Sequence, residues 1–358
     1  MNNAPSVSGD QIIWVAGETS GDMIAGPALA ALNASMPGVR HAGIGGPDMR
    51  AAGMDCWWDI ADLSVRGYTE VLTALPRLLR MRSKLAKRVL AEPPALFVGV
   101  DAPDFNFALA KRLRQRGVRT AHLVGPSVWA WRASRLKTIR ESVDHMMLLF
   151  PFEKPLYDEA GIPASYVGHP LADRIAAMDH DKAAARRRLG LISDERVITL
   201  MPGSRGSEIR YMGKTFLETA RWLFSKRHDI QFVLPAANHK ILTELRNEAA
   251  AMGMADSPHL HLVDGNAYDA MIAADTVLVA SGTATLEVAL FGRPMVIAYK
   301  MAGTSYRLMK RMGYLPYVGL PNILCNDWIV PEYIQDAATA PALGTALLAQ
   351  LDDQSATS

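Results

Sequence analysis

Ser281-Gly282-Thr283-Ala284-Thr285-Leu286-Glu287 brings together residue types able to hold a phosphorylated ligand. The apolar run Thr276–Ala280 leads in and reads as a buried parallel strand. Val288-Ala289-Leu290-Phe291 leads out as a helical segment that stops at Gly292, with Pro294 just beyond. A strand, a small-residue turn and a helix start offer free backbone N–H groups and a dipole that favours negative charge. Thr283 and Glu287 lie four apart on one helix face, which sets a carboxylate one turn below the anion end. Such an arrangement suits a nucleoside diphosphate whose ribose hydroxyls need an acceptor. Ser281, Gly282, Thr283, Thr285 and Glu287 are therefore candidate binding residues.

Pro202-Gly203-Ser204-Arg205-Gly206-Ser207-Glu208 is a second phosphate-suited stretch, with glycines, hydroxyls and a guanidinium fork. Glu208 stands where a Walker A loop would need its first glycine before Gly213-Lys214-Thr215, so a P-loop is excluded. Asp48 likewise replaces the third glycine of a dinucleotide fingerprint after Gly43 and Gly45. Gly17-Glu18-Thr19-Ser20-Gly21-Asp22 joins another strand to a helix. Helix capping explains Ser20 or Asp22 singly, but not two glycines with Glu18 and Asp22 together. Asp101 follows five apolar residues, at a strand end, where partial desolvation favours a proton acceptor. Pro103 makes Asp101 a poor helix cap, whereas Asp104 fits that duty well. Ser127, Trp129 and Trp131 follow a further strand, as a binding wall or as core filling. Asp179-His180-Asp181 reads as solvated capping, no His/Cys cluster has zinc spacing, and no metal or other cofactor is indicated.

Residues 66–90 carry Arg66, Arg77, Arg80, Arg82, Lys84, Lys87 and Arg88 against Glu70 alone. Val71, Leu72, Leu75, Leu78, Leu79 and Met81 are interleaved with them. This is either a basic amphipathic helix on an anionic lipid surface or an ordinary surface helix with its leucines turned inward. The net charge of +2 over 358 residues gives no sign of a nucleic-acid partner. Two cysteines form no disulfide framework and suit a reducing cytoplasm. The first ten residues make a poor signal peptide, and no apolar run approaches the roughly 18 residues of a spanning helix. A soluble chain, or one attached to a membrane surface, is expected.

These residues need elements to place them. Apolar strand-like runs at 11–16, 96–100, 120–124 and 145–150 alternate with helical ones at 23–33 and 105–116. The pattern restarts after 182–189 with strand-like runs at 197–201, 230–234, 261–263, 276–280 and 294–299. The length and the alternation predict an α/β chain of two doubly wound parallel sheets, with a hinge at Gly168-His169-Pro170. Ligands of such sheets bind beyond the carboxyl ends of the strands, where the unusual residues of both halves fall. Two half-sites facing across a cleft are the expectation.

Taken in order, these stretches resemble the lipid-A-disaccharide synthase family of GT-B glycosyltransferases. The resemblance rests on residues 16–22, 43–49, 98–106, 126–132, 150–153, 167–171, 202–209, 281–287 and 320–324, and covers most of the chain to about residue 335. Gly125 stands where a serine is expected, and Leu149 where an asparagine or similar residue is common. The resemblance implies two Rossmann-like domains, at 1–172 for acceptor and membrane and at 173–335 for the UDP-sugar. Residues 336–358 would form a helical tail packing back on the first domain. It implies transfer of a sugar from UDP-2,3-diacylglucosamine to the 6-hydroxyl of 2,3-diacylglucosamine 1-phosphate, with inversion and without metal. Asp101 would be the base, with Glu18 second. Gly17, Ser20, Gly21, Asp22, Ser127, Trp129 and Trp131 would face the acceptor. Ser204, Arg205, Glu208 and the 281–287 turn would hold UDP, and Asn322 would orient the donor. Leu72, Leu75, Arg77, Leu78, Leu79 and Arg80 would face the cytoplasmic side of an inner membrane, and a homodimer is allowed for. A UDP-N-acetylglucosamine 2-epimerase on the same scaffold is the rival enzyme, and a nucleotide-responsive membrane protein without turnover is the rival class.

Overall fold

The computed structural model describes residues 10–63, 68–126, 128, 135–192, 194–303, 306–307 and 316–353, with the side chains of 68–74 left out. Two compact units divide the chain at Leu171 and Ala172.

In the first unit seven parallel strands run in the order β3-β2-β1-β4-β5-β6-β7. They are β1 (Gln11–Ala16), β2 (Arg40–Gly45), β3 (Asp55–Asp59), β4 (Leu96–Val100), β5 (Thr120–Leu123), β6 (His145–Leu148) and β7 (Ala164–Tyr166). Residues 12–16 of β1 and the whole of β4 are apolar because helices cover both faces of the sheet. Those helices include α1 (Thr19–Ser35), α2 (Pro47–Ala51), α3 (Tyr68–Ala91), α4 (Pro103–Arg114), α5 (Arg135–Ser142) and α6 (Lys154–Glu159). One core gathers Ile13, Val15, Leu85, Phe97 and Leu113, while Trp14, Leu29 and Val98 belong to the other.

The second unit repeats the plan with six parallel strands in the order β10-β9-β8-β11-β12-β13. These are β8 (Arg196–Met201), β9 (Ile230–Ala236), β10 (Leu260–Asp264), β11 (Thr276–Ala280), β12 (Met295–Tyr299) and β13 (Glu332–Ile334). Around them lie α7 (Pro170–Ala176), α8 (Lys182–Arg188), α9 (Gly206–Phe224), α10 (His239–Ala251), α11 (Ala267–Ala273), α12 (Ala284–Leu290), α13 (Leu320–Cys325) and α14 (Ala340–Asp352). The helix α14, within the 336–358 tail, packs inside the second unit. Its Leu343, Leu347 and Leu351 join the core of the second unit, with Phe216 and Leu223 of α9. Gly344 is what lets the two helices approach, since a Cβ there would come within 2.5 Å of the Trp222 ring.

Each sheet reverses its strand order once, between β1 and β4 in the first unit and between β8 and β11 in the second. Ala16 pairs with Val100 and Met201 with Val279, so both loops at each reversal leave the sheet side by side. Crevices beyond the carboxyl ends of strands at such points are where open α/β sheets take ligands.

Candidate active site

At the first reversal stand Glu18, Ser20 and Asp101. Glu18 and Ser20 are exposed and Asp101 is half-buried. The Ser20 hydroxyl donates to Asp101 Oδ2 at 3.4 Å, which joins the loop after β1 to the loop after β4. Asp101 and Ala102 have φ of 52° and 42°, a left-handed pair without glycine. Such a conformation costs about 1–2 kcal/mol per residue outside glycine. Gly17 has no side chain because the Cβ of Ala102 occupies its place. Gly21 packs on β4 in the same way, where a Cβ would lie 3.4 Å from the Val100 carbonyl.

Asp22 does not face the acceptor side. It is 1% exposed, and its carboxylate accepts from the N–H groups of Gly46 at 2.8 Å, Asp48 at 2.9 Å and Met49 at 3.1 Å. Three backbone donors fix it as the anchor of the α2 start. Ser127, Trp129 and Trp131 lie outside the described residues. The fully buried His122 is pushed by desolvation down to about 3, so it is a neutral core imidazole.

At the second reversal Ser204, Arg205, Gly282 and Thr283 are exposed, beside the amino end of α9. Glu208 is turned to its own backbone. Its Oε2 accepts from Ser204 N at 2.9 Å and Arg205 N at 3.2 Å, the return half of a capping box. Its other oxygen accepts from Arg205 Nη1 at 3.2 Å, while the Arg205 side chain stays 72% exposed. Glu208 thus holds the loop rather than a ligand, a correction to its reading as a binding residue.

Tyr299 is the last residue of β12. Its hydroxyl is pushed up by burial and by the Glu208 charge and eased down by Arg205, while Ser281 N donates to the adjoining Ala298 carbonyl.

Two further residues of this half are corrected. The hydroxyl of buried Thr285 donates to the Gly282 carbonyl at 2.8 Å, so it stabilises the turn from within. Asn322 is fully buried and fully engaged. Its Nδ2 donates to Val330 O and Glu332 Oε1, and its Oδ1 accepts from Ile329 N and Val330 N. It holds the strand entering β13 and has no hydrogen-bonding capacity left for a donor sugar. Glu332 was missed in the sequence, yet it receives the Val318 and Gly319 N–H groups at 2.9 Å each and so fixes the start of α13. The Ser281 hydroxyl donates to the Val318 carbonyl at 2.7 Å, which ties that network to the anion turn.

Glu287 is half-buried. Burial pushes it above the usual carboxylate range, while the Tyr268 hydroxyl and Arg174 pull the other way. Tyr268 and Arg174 carry no sequence signal, because α11 and α7 are short and their side chains meet only in the fold.

On α3, Leu75 and Leu79 are exposed, at 46% and 45%, with Arg77 and Arg80 beside them. Leu78 packs inward on the first core and leaves the surface set, a correction that the helical period explains. The side chain of Leu72 lies outside the description. Among the described residues no helix is long and apolar enough to cross a membrane.

The fold is shared with UDP-sugar enzymes. A UDP-N-acetylglucosamine 2-epimerase structure from Listeria monocytogenes superposes with a TM-score of 0.66 at 14% identity, covering 98% of this chain and 90% of that one. The Methanocaldococcus jannaschii 2-epimerase in complex with UDP-GlcNAc and UDP gives 0.61 at 12%, covering 96% and 93%. These likenesses concern the two-sheet scaffold, as in GT-B proteins, and carry no activity. In sequence, the lipid-A-disaccharide synthase of Aromatoleum aromaticum is 50% identical over 97% of this chain and 88% of its own length. That of Pseudomonas aeruginosa (strain UCBPP-PA14) is 47% identical over 97% and 91%. The family model described as lipid-A-disaccharide synthetase matches residues 12–358. With identity at this level over nearly all of its length, the chain belongs to the lipid-A-disaccharide synthase family.

Proposed function

We propose a residue-level chemistry for this glycosyltransferase of lipid A biosynthesis, in which Asp101 is the base and UDP leaves from the second unit. The acceptor is a diacylglucosamine 1-phosphate whose 6-hydroxyl gives its proton to Asp101. The new O6–C1 bond forms as the bond from C1 to the UDP oxygen breaks, with inversion, and UDP carries away the electron pair. Ser20 holds one oxygen of Asp101, which leaves the other for the hydroxyl. Glu18, exposed on the same loop, is the second candidate.

UDP lies against the Ser204–Arg205 loop and the Gly282–Thr283 turn, with Glu287 accepting from ribose. Donors aimed at charge that develops on a leaving group are worth about 3–4 kcal/mol each. The helix ends add about 0.3–1 kcal/mol, so Arg205 and the backbone N–H groups dominate. Acyl chains cannot stay in water during transfer, at about 0.8 kcal/mol per CH₂. Leu75 and Leu79, flanked by Arg77 and Arg80, therefore rest on the anionic lipid surface that supplies both substrates.

One observation carries this reading. The loops that carry Glu18, Asp101, Arg205 and Glu287, 17–22, 101–104, 202–208 and 281–287, each leave their sheet where its strand order reverses. The test is UDP release measured with each acylated sugar alone and with both. Release only when both are present supports transfer. Epimerised product from UDP-N-acetylglucosamine alone would replace it with the rival isomerase.

A further inference from the structure

We infer that Asn106 is a positioning residue that holds Asp101 in its left-handed backbone and thereby aims the carboxylate. Asn106 is fully buried in α4, five residues past Asp101. Its Nδ2 donates to the carbonyls of Asp101 at 2.8 Å, Val15 at 3.0 Å and Val100 at 3.3 Å. One amide thus bridges the end of β1, the end of β4 and the peptide that follows Asp101.

Those three carbonyls converge where the backbone departs from the sheet. The Asp101 N–H still donates to Leu123 O at 3.0 Å as an extension of the β4–β5 ladder, but its carbonyl has left the ladder. With φ of 52° and 42°, Asp101 and Ala102 occupy a region that L-residues avoid, and surrounding structure must over-determine it. Two features do so. Gly17 vacates the space that the Ala102 Cβ fills, and Asn106 supplies the donor for the displaced Asp101 carbonyl. In an ordinary strand-to-helix exit the carboxylate would point elsewhere, because the Cα–Cβ direction follows φ and ψ. The reach of Ser20 Oγ to Asp101 Oδ2 depends on that exit.

This inference rests on Asp101 being the base, and the experiment separates the two claims. The full chain is assayed with both acylated sugars as the parent, as Asp101→Asn, as Asn106→Ala and as Asn106→Ala with Ala102→Gly. Asn106→Ala is expected to lower kcat at least about tenfold while the Kd for UDP stays within about twofold. Ala102→Gly in that background is expected to restore most of the loss, because glycine takes the left-handed region freely. Because Ala102→Gly also relieves left-handed strain and so adds stability of its own, melting temperatures are measured alongside, and recovery of kcat among variants that all stay folded at the assay temperature is what marks positioning. A kcat within about twofold of the parent overturns the inference, and so does a loss that Ala102→Gly fails to restore.

Should Asn106→Ala not fold, Asn106→Asp keeps the shape and decides the matter through pH. Its kcat relative to the parent should rise as pH is lowered from about 8 to about 5.5, when the neutral carboxyl can again donate to the Asp101 carbonyl. A flat ratio overturns the inference. Normal turnover in Asp101→Asn would instead remove the base, whatever Asn106 does.

Discussion

Tyr268 donates its hydroxyl to Glu287 Oε1 across 3.5 Å, and Arg174 stacks over the same tyrosine at 5.7 Å. Both partners favour the charged carboxylate, yet burial outweighs them and lifts Glu287 above its ordinary value. A carboxyl raised in the fold adds stability that is complete below its unfolded value, about 4.3, and is lost as pH rises through the folded one. The charged form of Glu287 is therefore a cost to the unliganded protein, one that a ribose diol would offset. Glu287→Gln is expected to leave thermal stability at pH 7 equal or up to about 1 kcal/mol higher. Calorimetry should show UDP binding weaker by about 1.5–3 kcal/mol, the range for a hydrogen bond to a charged group. Undiminished UDP affinity would remove Glu287 from the ribose.

Asp101→Asn should lower kcat by about 10²–10⁴, the usual contribution of a positioned base. The Kd for UDP should stay within about twofold, since the donor is held by other residues. Ser20→Ala should cost less than about tenfold, because a 3.4 Å hydrogen bond constrains Asp101 only weakly. If Glu18→Gln proves as damaging as Asp101→Asn is mild, the two carboxylates exchange roles.

The sequence showed plainly where apolar runs and chemistry coincide. β1, β4, β8 and β11 are mainly apolar stretches that lead into the loops bearing Glu18, Asp101, Arg205 and Ser281, and burial on both faces forces that pattern. β2, with the sequence Arg40-His41-Ala42-Gly43-Ile44-Gly45, is absent from the strand-like runs because its two glycines break the apolar pattern. Gly43 is required there because a side chain would strike the Trp14 carbonyl on β1, a contact that no local pattern encodes. Asn322 and Glu208 were misread for a related reason. A polar residue beside a ligand loop and one that braces the loop are the same letters, and only the observed partners separate them.

Arg205 and Glu208 test that distinction between binding and bracing. Arg205→Ala should weaken UDP binding by about 1.5–3 kcal/mol with little change in stability, since the side chain is 72% exposed. Glu208→Gln keeps an acceptor for the Ser204 and Arg205 N–H groups and should bind UDP nearly as the parent does. Glu208→Ala removes the brace and should destabilise the second unit by about 1 kcal/mol. Equal UDP affinity in Arg205→Ala would place the diphosphate elsewhere.

Leu75 and Leu79 lie on the exposed side of α3, and Leu78 on the buried side. Leu75→Ser with Leu79→Ser should reduce co-sedimentation with anionic vesicles and leave the melting temperature unchanged. Leu78→Ser should do the reverse, lowering stability by about 1–3 kcal/mol with vesicle binding kept. Full vesicle binding by the folded double variant would reject this face as the membrane contact.

Asp275 fixes the junction of α8 with the second sheet. Its carboxylate accepts from Lys182 Nζ at 2.5 Å, Arg186 Nη2 at 2.8 Å and Val197 N at 2.7 Å, and its side chain is only 12% exposed. Burial pushes it up, but these three partners together outweigh burial and hold it below 3.8. A depressed carboxyl contributes stability above its unfolded value and loses it as pH falls through the folded one, so the window lies below about pH 4. Asp275→Asn removes the carboxylate charge that Lys182 and Arg186 both meet and should cost about 3–5 kcal/mol at pH 7. Because protonation removes the same charge from the parent, the difference between the two proteins should narrow steadily as denaturant unfolding is repeated toward pH 3. A gap that stays constant with pH would mean that the aspartate acts through shape alone, with its charge making no contribution to holding α8 on the sheet.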